Sequence, residues 1–189
     1  GVTSVADLDE HADKFNSELH GIEAGNDGNE LIQQMIDDDA FGLGDWSLID
    51  SSEAGMLAEL RARVPDETWM VFLGWEPHPM NTNFDMAYLE GADDYFGPNL
   101  GGATVYTNTR AGYTDACPNV GALLNNLSFT LEMENQLMGT IMDDGTAPDE
   151  AARDYLKANP ELLDAWLEGV ETADGEPALE VVKAELGVE

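Results

Sequence analysis

The sequence predicts a mixed α/β fold. Apolar runs with strand character alternate with amphipathic helical patterns over the first hundred residues, in three successive strand–helix repeats. The most apolar run, residues 68–75, is nearly continuous, as expected for a parallel strand that is buried on both faces. Apolar residues make up 43% of the 189 residues, which is enough to form a sizeable core. We therefore expect helices packed on a parallel sheet through right-handed crossovers.

Helix caps, apolar periodicity and helix-breaking residues predict the helices and strands of the first hundred residues. Ser4 can cap a helix, because Asp7 stands three residues on, in the capping-box position. Two serines at 51–52 cap another helix, which Pro65 ends. The predicted order is a helix over 4–15, a strand over 20–23, a loop at 25–29, a helix bearing Leu31, Ile32, Met35 and Ile36, a solvated acidic run at 37–39 past its end, a strand over 46–50, the helix after 52, and the strand at 68–75.

The second half has a different character. After a turn-rich loop at 96–102, residues 103–109 alternate with period two and are rich in β-branched side chains, which predicts one more strand. The rest is helical, with Pro148, Pro160 and Pro177 suited to first turns. Helices are expected over 120–127, 131–142, 148–158, 160–167 and 177–186. One strand with several helices is an incomplete layer, so this half needs a sheet that the chain does not supply.

The charge excludes one large class of function. Acidic residues number 39 and basic residues 7, so the formal net charge is −32. Affinity for nucleic acid rests on Lys and Arg that neutralise phosphates, and this chain has almost none to cluster. We therefore expect no nucleic-acid partner. No stretch approaches the ~20 consecutive apolar residues that a membrane span requires.

The N-terminus and the single cysteine bear on the compartment. Residues 1–7 lack the basic flank and apolar run of a signal peptide, so an exported protein would be seen here already processed or cut. Cys117 is the only cysteine and cannot form an internal disulfide. It is either an inert thiol or the partner of a cysteine outside the supplied chain.

The strongest chemical signal lies at residues 74–81, just after the most apolar strand. Ligands of open α/β sheets bind at the carboxyl ends of the strands. Trp75 is either a core plug or, because 76–79 force an immediate turn, a side chain that faces a cleft. His78 is interpreted as a hydrogen-bonding turn residue, since His11 and His20 lie too far off in sequence for a metal-ligand spacing.

The loop at 25–29 is the second candidate, because it also follows a strand and opens a helix. It matches neither dinucleotide-binding nor P-loop patterns and contains no Lys. It is an ordinary capping turn or a place where Asn26 offers an amide to a polar ligand group. No Gly-x-Ser-x-Gly motif occurs, and among 39 carboxylates no acid–base pair is singled out. We therefore predict no catalytic residue, no metal site and no cofactor.

Several segments, taken in order, resemble the substrate-binding proteins of ABC transporters for glycine betaine, proline betaine and choline. In betaine-binding members the strand-end motif reads Trp-x-Pro-His-Trp, whereas Pro79 stands here in place of the second Trp. With the loop at 25–29, this version is closer to the choline-binding branch. The segments that carry the resemblance are 14–15 through 21–25, 51–60, 74–78, and 151–153 through 159–167.

This resemblance implies a type II periplasmic-binding-protein fold, a Venus flytrap of two α/β lobes. Residues 1–100 match the second lobe, and residues 101–189 cross back to complete the first. The chain would thus hold one complete lobe plus the C-terminal part of the other, with an N-terminal portion missing. A disulfide from Cys117 to that missing portion would suit an exported protein.

The resemblance also implies a ligand and its contacts. Trp75 matches one wall of an aromatic cage for a trimethylammonium group, and Asn26 matches a polar contact to the ligand's other end. Asp27, in the same loop, is a subsidiary ligand-binding candidate. The remaining cage residues belong to the missing portion, so this chain alone is expected to bind choline weakly or not at all.

The expected function is delivery of choline or a related quaternary amine to an ABC transporter permease, in the periplasm and without catalysis. Glycine betaine, proline betaine and trimethylamine oxide are alternative ligands. Two functions of another class stay open: a carboxylate-dependent hydrolase in the same cleft, and a binding module that senses rather than transports its solute.

Overall fold

The computed structural model describes residues 1–188. The chain forms two compact units. Unit 1 contains residues 1–75 and 85–104, and unit 2 contains residues 76–84 together with the chain from 105 onward. Each unit is thus discontinuous in sequence, because the chain leaves unit 1 after Trp75 and returns to it at Asp85.

Unit 1 is built on a parallel sheet. Its strands are β1 (Glu18–His20), β2 (Ser47–Ile49) and β3 (Val71–Phe72), in the order β2-β1-β3. Leu19 of β1 lies opposite Leu48 on one side and Val71 on the other. The predicted parallel α/β layer is confirmed. The strand predicted over 20–23 is displaced, since β1 ends at His20. The strands predicted over 46–50 and 68–75 are shorter than their apolar runs, because apolarity records burial whereas a strand extends only as far as its neighbours pair with it.

The helices lie close to the predicted patterns in most of the chain. In chain order they are α1 (Ala12–Phe15), α2 (Asp27–Asp37), α3 (Glu53–Arg63), α4 (Met80–Asn83), α5 (Asp93–Phe96), α6 (Pro98–Gly101), α7 (Tyr113–Ala116), α8 (Pro118–Asn126), α9 (Leu131–Met142), α10 (Pro148–Ala158), α11 (Glu161–Trp166) and α12 (Ala178–Leu186). None of the helices in the described part of the chain combines the length and the apolar character that crossing a membrane demands.

The predicted first helix is only partly correct. Ser4 caps the segment and the reciprocal bond from its backbone N–H to Asp7 is present at 2.9 Å, which confirms the capping box. The continuous helix over 4–15 is wrong. The segment forms two short 3-10 turns, and at His11 the backbone leaves helical geometry (φ −120°, ψ 18°) before α1 begins. The apolar stripe is preserved because successive tight turns still bury Val5, Leu8 and Phe15.

The helices α2 and α3 begin and end where their sequence signals stand. Asn26 caps α2 and Ser52 caps α3, each with a side-chain oxygen that accepts a backbone N–H from the first turn. Asp37 is the last residue of α2, while Asp38 and Asp39 lie beyond it. The carboxylate of Asp39 accepts the N–H of Gly44 at 2.8 Å, so it holds the following turn.

The core of unit 1 is formed by the N-terminal segment, β1, α2 and the turn before β2. Its fully buried members are apolar: Val5, Leu8, Phe15, Leu19, Ile32, Met35, Ile36, Leu43 and Trp46. The Phe15 ring contacts two indoles, with centroids 6.0 Å from Trp46 and 5.3 Å from Trp69. These aromatic pairs anchor the first turns to the start of β2.

A buried histidine lies on the central strand β1. His20 is buried, and its Nε2 lies 3.6 Å from a carboxylate oxygen of Glu18. Arg63, from the end of α3, bonds Glu59 at 2.7 Å and lies 3.7 Å from the same Glu18 oxygen. Burial lowers the pKa of His20 below its usual 6.5, the Arg63 charge lowers it further, and Glu18 and Glu59 oppose the shift.

The contribution of His20 to the free energy of unfolding is expected to fall as the pH is lowered below about 6.5. The unfolded chain then binds a proton at this histidine before the folded chain does, so acidification favours unfolding. The contribution is complete above the unfolded pKa and is lost as the pH falls through the lower folded pKa. Urea midpoints at a series of pH values, for wild type and His20→Leu, check this. A difference between the two that stays constant with pH would contradict it.

Unit 2 is helical in the part of the chain that the structure describes. Its buried side chains include Met133 on α9, Ala151 on α10, and Leu163 and Trp166 on α11. The side chain of Asn126, at the end of α8, donates to the backbone carbonyls of Trp166 (3.2 Å) and Glu168 (2.8 Å). The predicted helices of this half are therefore confirmed to within a few residues at their ends.

The predicted strand over 103–109 is wrong. Residues 102–110 have no regular secondary structure, and Val105 and Tyr106 are 93% and 74% exposed. Alternating β-branched residues favour an extended backbone, but a strand also needs a neighbour that satisfies its N–H and C=O groups. No strand among residues 1–188 pairs with this segment.

Candidate ligand-binding site

Trp75 lies at the carboxyl side of β3, three residues after the strand ends. Its side chain is half-buried. A Cβ added at Gly74 would lie 3.2 Å from Met86 and 3.3 Å from Tyr88, so the backbone before Trp75 runs close to these two side chains. The structure thus puts Trp75 at the sheet edge where the sequence predicted it.

Asn26 follows β1 and caps α2. Its Oδ1 accepts the N–H of Gly28 at 2.8 Å. Since that oxygen is committed to the helix, the part of the carboxamide left to meet a ligand is the Nδ2 group, which can only donate. Asp27, the first residue of α2, is exposed. A carboxylate in the first turn also stabilises the helix through its dipole, so Asp27 has a structural role without any ligand.

Within unit 1, the strands that precede Trp75 and the Asn26 loop lie side by side. Strands β1 and β3 are parallel neighbours, so their carboxyl ends meet at one edge of the sheet. The N–H of Leu73 donates to the C=O of His20 at 2.8 Å, which extends the pairing beyond β3. A Cβ added at Gly28 would lie 2.7 Å from Leu73. The first turn of α2 therefore packs directly on the residue that precedes the Gly74–Trp75 pair.

A buried amide behind this edge was not found from the sequence. The Oδ1 of Asn29 accepts the N–H of Ile22 at 3.0 Å, and its Nδ2 donates to the Ile22 carbonyl at 3.0 Å and to Asp50 Oδ1 at 2.8 Å. The apolar periodicity of α2 did contain a signal for this buried amide. Asn29 lies three and seven residues before Ile32 and Ile36, on the buried face of α2. A polar side chain on such a face requires partners.

The segment after Trp75 is held by hydrogen bonds inside unit 2. The buried His78 donates its backbone N–H to Oδ1 of the buried Asn135 at 2.8 Å. Its ring Nδ1 accepts the N–H of Met80 at 3.0 Å. The interpretation of His78 as a hydrogen-bonding turn residue is confirmed. Asn135, on α9, is a partner that the sequence did not single out.

Among the residues that the structure describes, the thiol, the acidic and histidine side chains and the cavity of unit 1 offer no further ligand site. Cys117 is a half-buried free thiol at the start of α8. No group of three or more His, Cys, Asp or Glu residues suited to a metal ion occurs within residues 1–188. A cavity of about 290 Å³ lies in unit 1, beside β3, but neither Asn26 nor Trp75 lines it. Its lining is mostly apolar and Asp93 is its one charged residue, so it is not the place of these polar contacts.

Comparisons with known proteins identify the family to which the chain is similar. A family model for the substrate-binding domain of ABC-type glycine betaine transport systems matches residues 1–158. The chain is 31% identical over 177 residues to the glycine betaine/carnitine transport binding protein GbuC of Listeria monocytogenes serotype 1/2a (strain 10403S). That alignment covers 92% of this chain and 58% of the Listeria protein.

Two solved structures are similar over most of the chain. One is an ABC-transporter choline-binding protein in complex with choline, with a TM-score of 0.73 and 52% identity over 99% of this chain and 65% of that one. The other is lactococcal OpuAC in its closed-liganded conformation with glycine betaine, with a TM-score of 0.64 and 26% identity over 88% of this chain and 62% of that one.

These matches confirm the predicted type II periplasmic-binding-protein fold. The chain spans less than two thirds of the length of each of these three relatives. The family match includes the sheet of unit 1 and most of the helical second half. The chain belongs to the family of substrate-binding domains of ABC-type glycine betaine transport systems.

Proposed function

We propose that this chain is part of a binding protein that captures choline and delivers it to the permease of an ABC transporter. The observation that carries the proposal is the juxtaposition of Trp75 and the Asn26 loop at one sheet edge, in a chain 52% identical to a protein solved with choline. An aromatic face attracts a trimethylammonium group, which has no N–H to donate, through the ring quadrupole. The Asn26 amide bonds the polar group at the other end of the ligand.

The hydrogen bond that Asn26 already makes limits which ligand groups it can contact. Because its Oδ1 caps α2, the amide offers donors to the ligand. A choline hydroxyl oxygen can accept one such bond. A betaine carboxylate is charged and would need several donors, and the exposed carboxylate of Asp27 beside Asn26 would repel it. Choline is therefore favoured over glycine betaine and proline betaine.

The rest of the proposed protein follows from the family. We assign residues 1–100, apart from 76–84, to one lobe, and residues 76–84 with 101–189 to part of the other. The remaining cage residues would be supplied by a portion that this chain does not contain. A disulfide from Cys117 to that portion would be formed after export, in the periplasm. Transport proteins of this kind carry out no reaction on their ligand, and the hydrolase alternative has no acid–base pair in its support.

Calorimetry on the whole protein tests this function. Choline, glycine betaine, carnitine and trimethylamine oxide are titrated separately into the same preparation. We expect choline to bind most tightly and to be recovered intact. If none of the four binds below millimolar concentration, the proposed function is wrong, and if betaine binds most tightly, the ligand assignment within the family changes. Hydrolysis of the bound amine would favour the enzyme alternative.

The substitution Asn26→Asp is expected to separate choline from betaine. Aspartate caps helices as well as asparagine, so α2 keeps its N-terminal bond and the melting temperature changes little. A carboxylate can accept the choline hydroxyl proton but repels the betaine carboxylate. We therefore expect betaine affinity to fall by at least about tenfold, which corresponds to about 1.4 kcal/mol, while choline affinity changes less. The same panel of titrations measures both.

Asn26→Ser is the matched control, because serine also caps the helix but adds no charge. Equal losses for choline and betaine in Asn26→Asp would remove Asn26 from contact with the polar end of the ligand. A lowered melting temperature in both variants would instead indicate that the cap itself had been lost.

A further inference from the structure

Behind the candidate site, one buried side chain ties together the loops that follow β1 and β2. Asn29 is 2% exposed, and its carboxamide bonds both backbone groups of Ile22 and the carboxylate of Asp50. A further, longer bond of 3.4 Å runs from its Nδ2 to the carbonyl of Glu23. The donors and the acceptor of this amide therefore bond the loops after β1 and β2, and not α2, the helix that carries Asn29.

The helix does not need these bonds. The N–H groups of the first turn of α2 are capped by Asn26, and Ile32 and Ile36 show that the face on which Asn29 lies is otherwise apolar. An apolar side chain at this position would avoid the cost of burying an amide. Buried amides that are fully bonded fix one conformation of the groups around them. These hydrogen bonds therefore serve to fix the loop after β1, and not to stabilise α2.

The loop in question carries Asn26. The N–H of Asn26 donates to the carbonyl of Glu23 at 3.0 Å, the same carbonyl that Asn29 contacts. Gly21, which precedes the loop, lies so close that an added Cβ would be 2.7 Å from Cγ and 2.8 Å from Nδ2 of Asn29. Asn29 thus fixes residues 21–23 through these contacts. Asn26 is tied to the same segment by its bond to Glu23.

We propose that Asn29 and Asp50 are positioning residues, which set the orientation of the Asn26 carboxamide toward the ligand. This role rests on the proposed choline binding. Asp50 acts through Asn29: its carboxylate accepts from Nδ2, and so leaves Oδ1 facing the N–H of Ile22. Neither residue is required to touch the ligand.

A charge exchange between the two positions tests the proposal in the whole protein. Asn29→Asp places two carboxylates against each other and removes the donors to Ile22 and Glu23, so we expect choline affinity to fall at least tenfold. Asp50→Asn keeps an acceptor for Asn29 and should change affinity less than threefold. In the double variant the new amide at position 50 donates to the new carboxylate at position 29, and we expect at least a threefold recovery of the lost affinity.

The control is Ile36→Ala, a buried position at the far end of the same helix. It lowers stability without touching the loop, and seven residues of helix put it roughly 10 Å from Asn29 along the axis. Equal losses of choline affinity in Ile36→Ala and Asn29→Asp at equal loss of melting temperature, with no recovery in the double variant, would overturn the proposal.

Amide hydrogen exchange separates this proposal from the proposed function. The N–H of Gly28 reports on the Asn26 oxygen that it bonds, and the N–H of Ile22 reports on Asn29. Faster exchange at both amides in Asn29→Asp than in Ile36→Ala, without ligand, supports positioning even if wild-type protein binds no amine and the proposed function fails. Equal exchange in the two variants overturns positioning even if choline binds.

Discussion

Replacing Trp75 by alanine is expected to weaken choline binding by at least about tenfold. A ring face beside a trimethylammonium group contributes roughly 0.5–2 kcal/mol, with the larger values where the cation is desolvated, and each 1.4 kcal/mol is a factor of ten. Truncation also removes a wall that excludes water from the cation. Because Trp75 follows β3 at the sheet edge and is only half-buried, its loss removes binding area rather than core.

The matched control is Trp75→Phe. Phenylalanine keeps an aromatic face, although a weaker one than indole, so we expect a loss between those of wild type and alanine. Calorimetry gives the dissociation constants, and thermal unfolding shows whether the fold is retained. Unchanged choline affinity in Trp75→Ala would remove this residue from the cage. A loss of affinity in proportion to a loss of melting temperature would assign it to the core instead.

Helices were the most predictable part of the fold, because their signals are local. Ser52 and Asn26 at N-caps, and Pro148 in a first turn, each act within one turn of the backbone and need no distant partner. The segment over 4–15 shows the limit of such signals. Its capping box and apolar stripe are correct, yet 3-10 turns bury the same side chains as a helix would, and periodicity alone does not distinguish them.

Strands were less predictable, because pairing depends on residues far away in sequence. The run at 68–75 and the segment at 103–109 both have strand character, but only the first contains a strand that lies beside β1. The exposure of Val105 and Tyr106 is the result expected when an extended segment finds no partner among the residues described.

The residues of the candidate site likewise differ in whether local signals in the sequence predict them. The places of Trp75 and Asn26 at the sheet edge could be predicted, because each follows a strand in a recognisable motif and parallel strands bring their ends together. Asn29, Asp50 and Asn135 were missed because each acts through a partner distant in sequence, 57 residues away for Asn135. A polar residue on an apolar helix face was the available signal for Asn29 alone.

The largest effect on stability is expected from Trp46→Ala. Trp46 is 4% exposed and packs on Phe15 in the core of unit 1, at the turn that enters β2. Truncating a buried aromatic side chain removes its transfer free energy and leaves a cavity, which together cost about 3–5 kcal/mol. For a chain of this size, that loss corresponds to a melting temperature lower by about 10 °C. Urea and thermal unfolding followed by circular dichroism measure it.

Two variants make this prediction specific to the core. Trp46→Phe keeps a ring against Phe15, and the indole Nε1 that it removes is buried without a hydrogen-bond partner among the described residues, so we expect a clearly smaller loss than for alanine. Tyr106→Ala removes an aromatic ring of similar size that is 74% exposed, and should leave the melting temperature nearly unchanged. If Trp46→Ala and Tyr106→Ala had the same effect, Trp46 would not belong to a cooperative core, and the sheet of unit 1 would have to draw its stability from elsewhere.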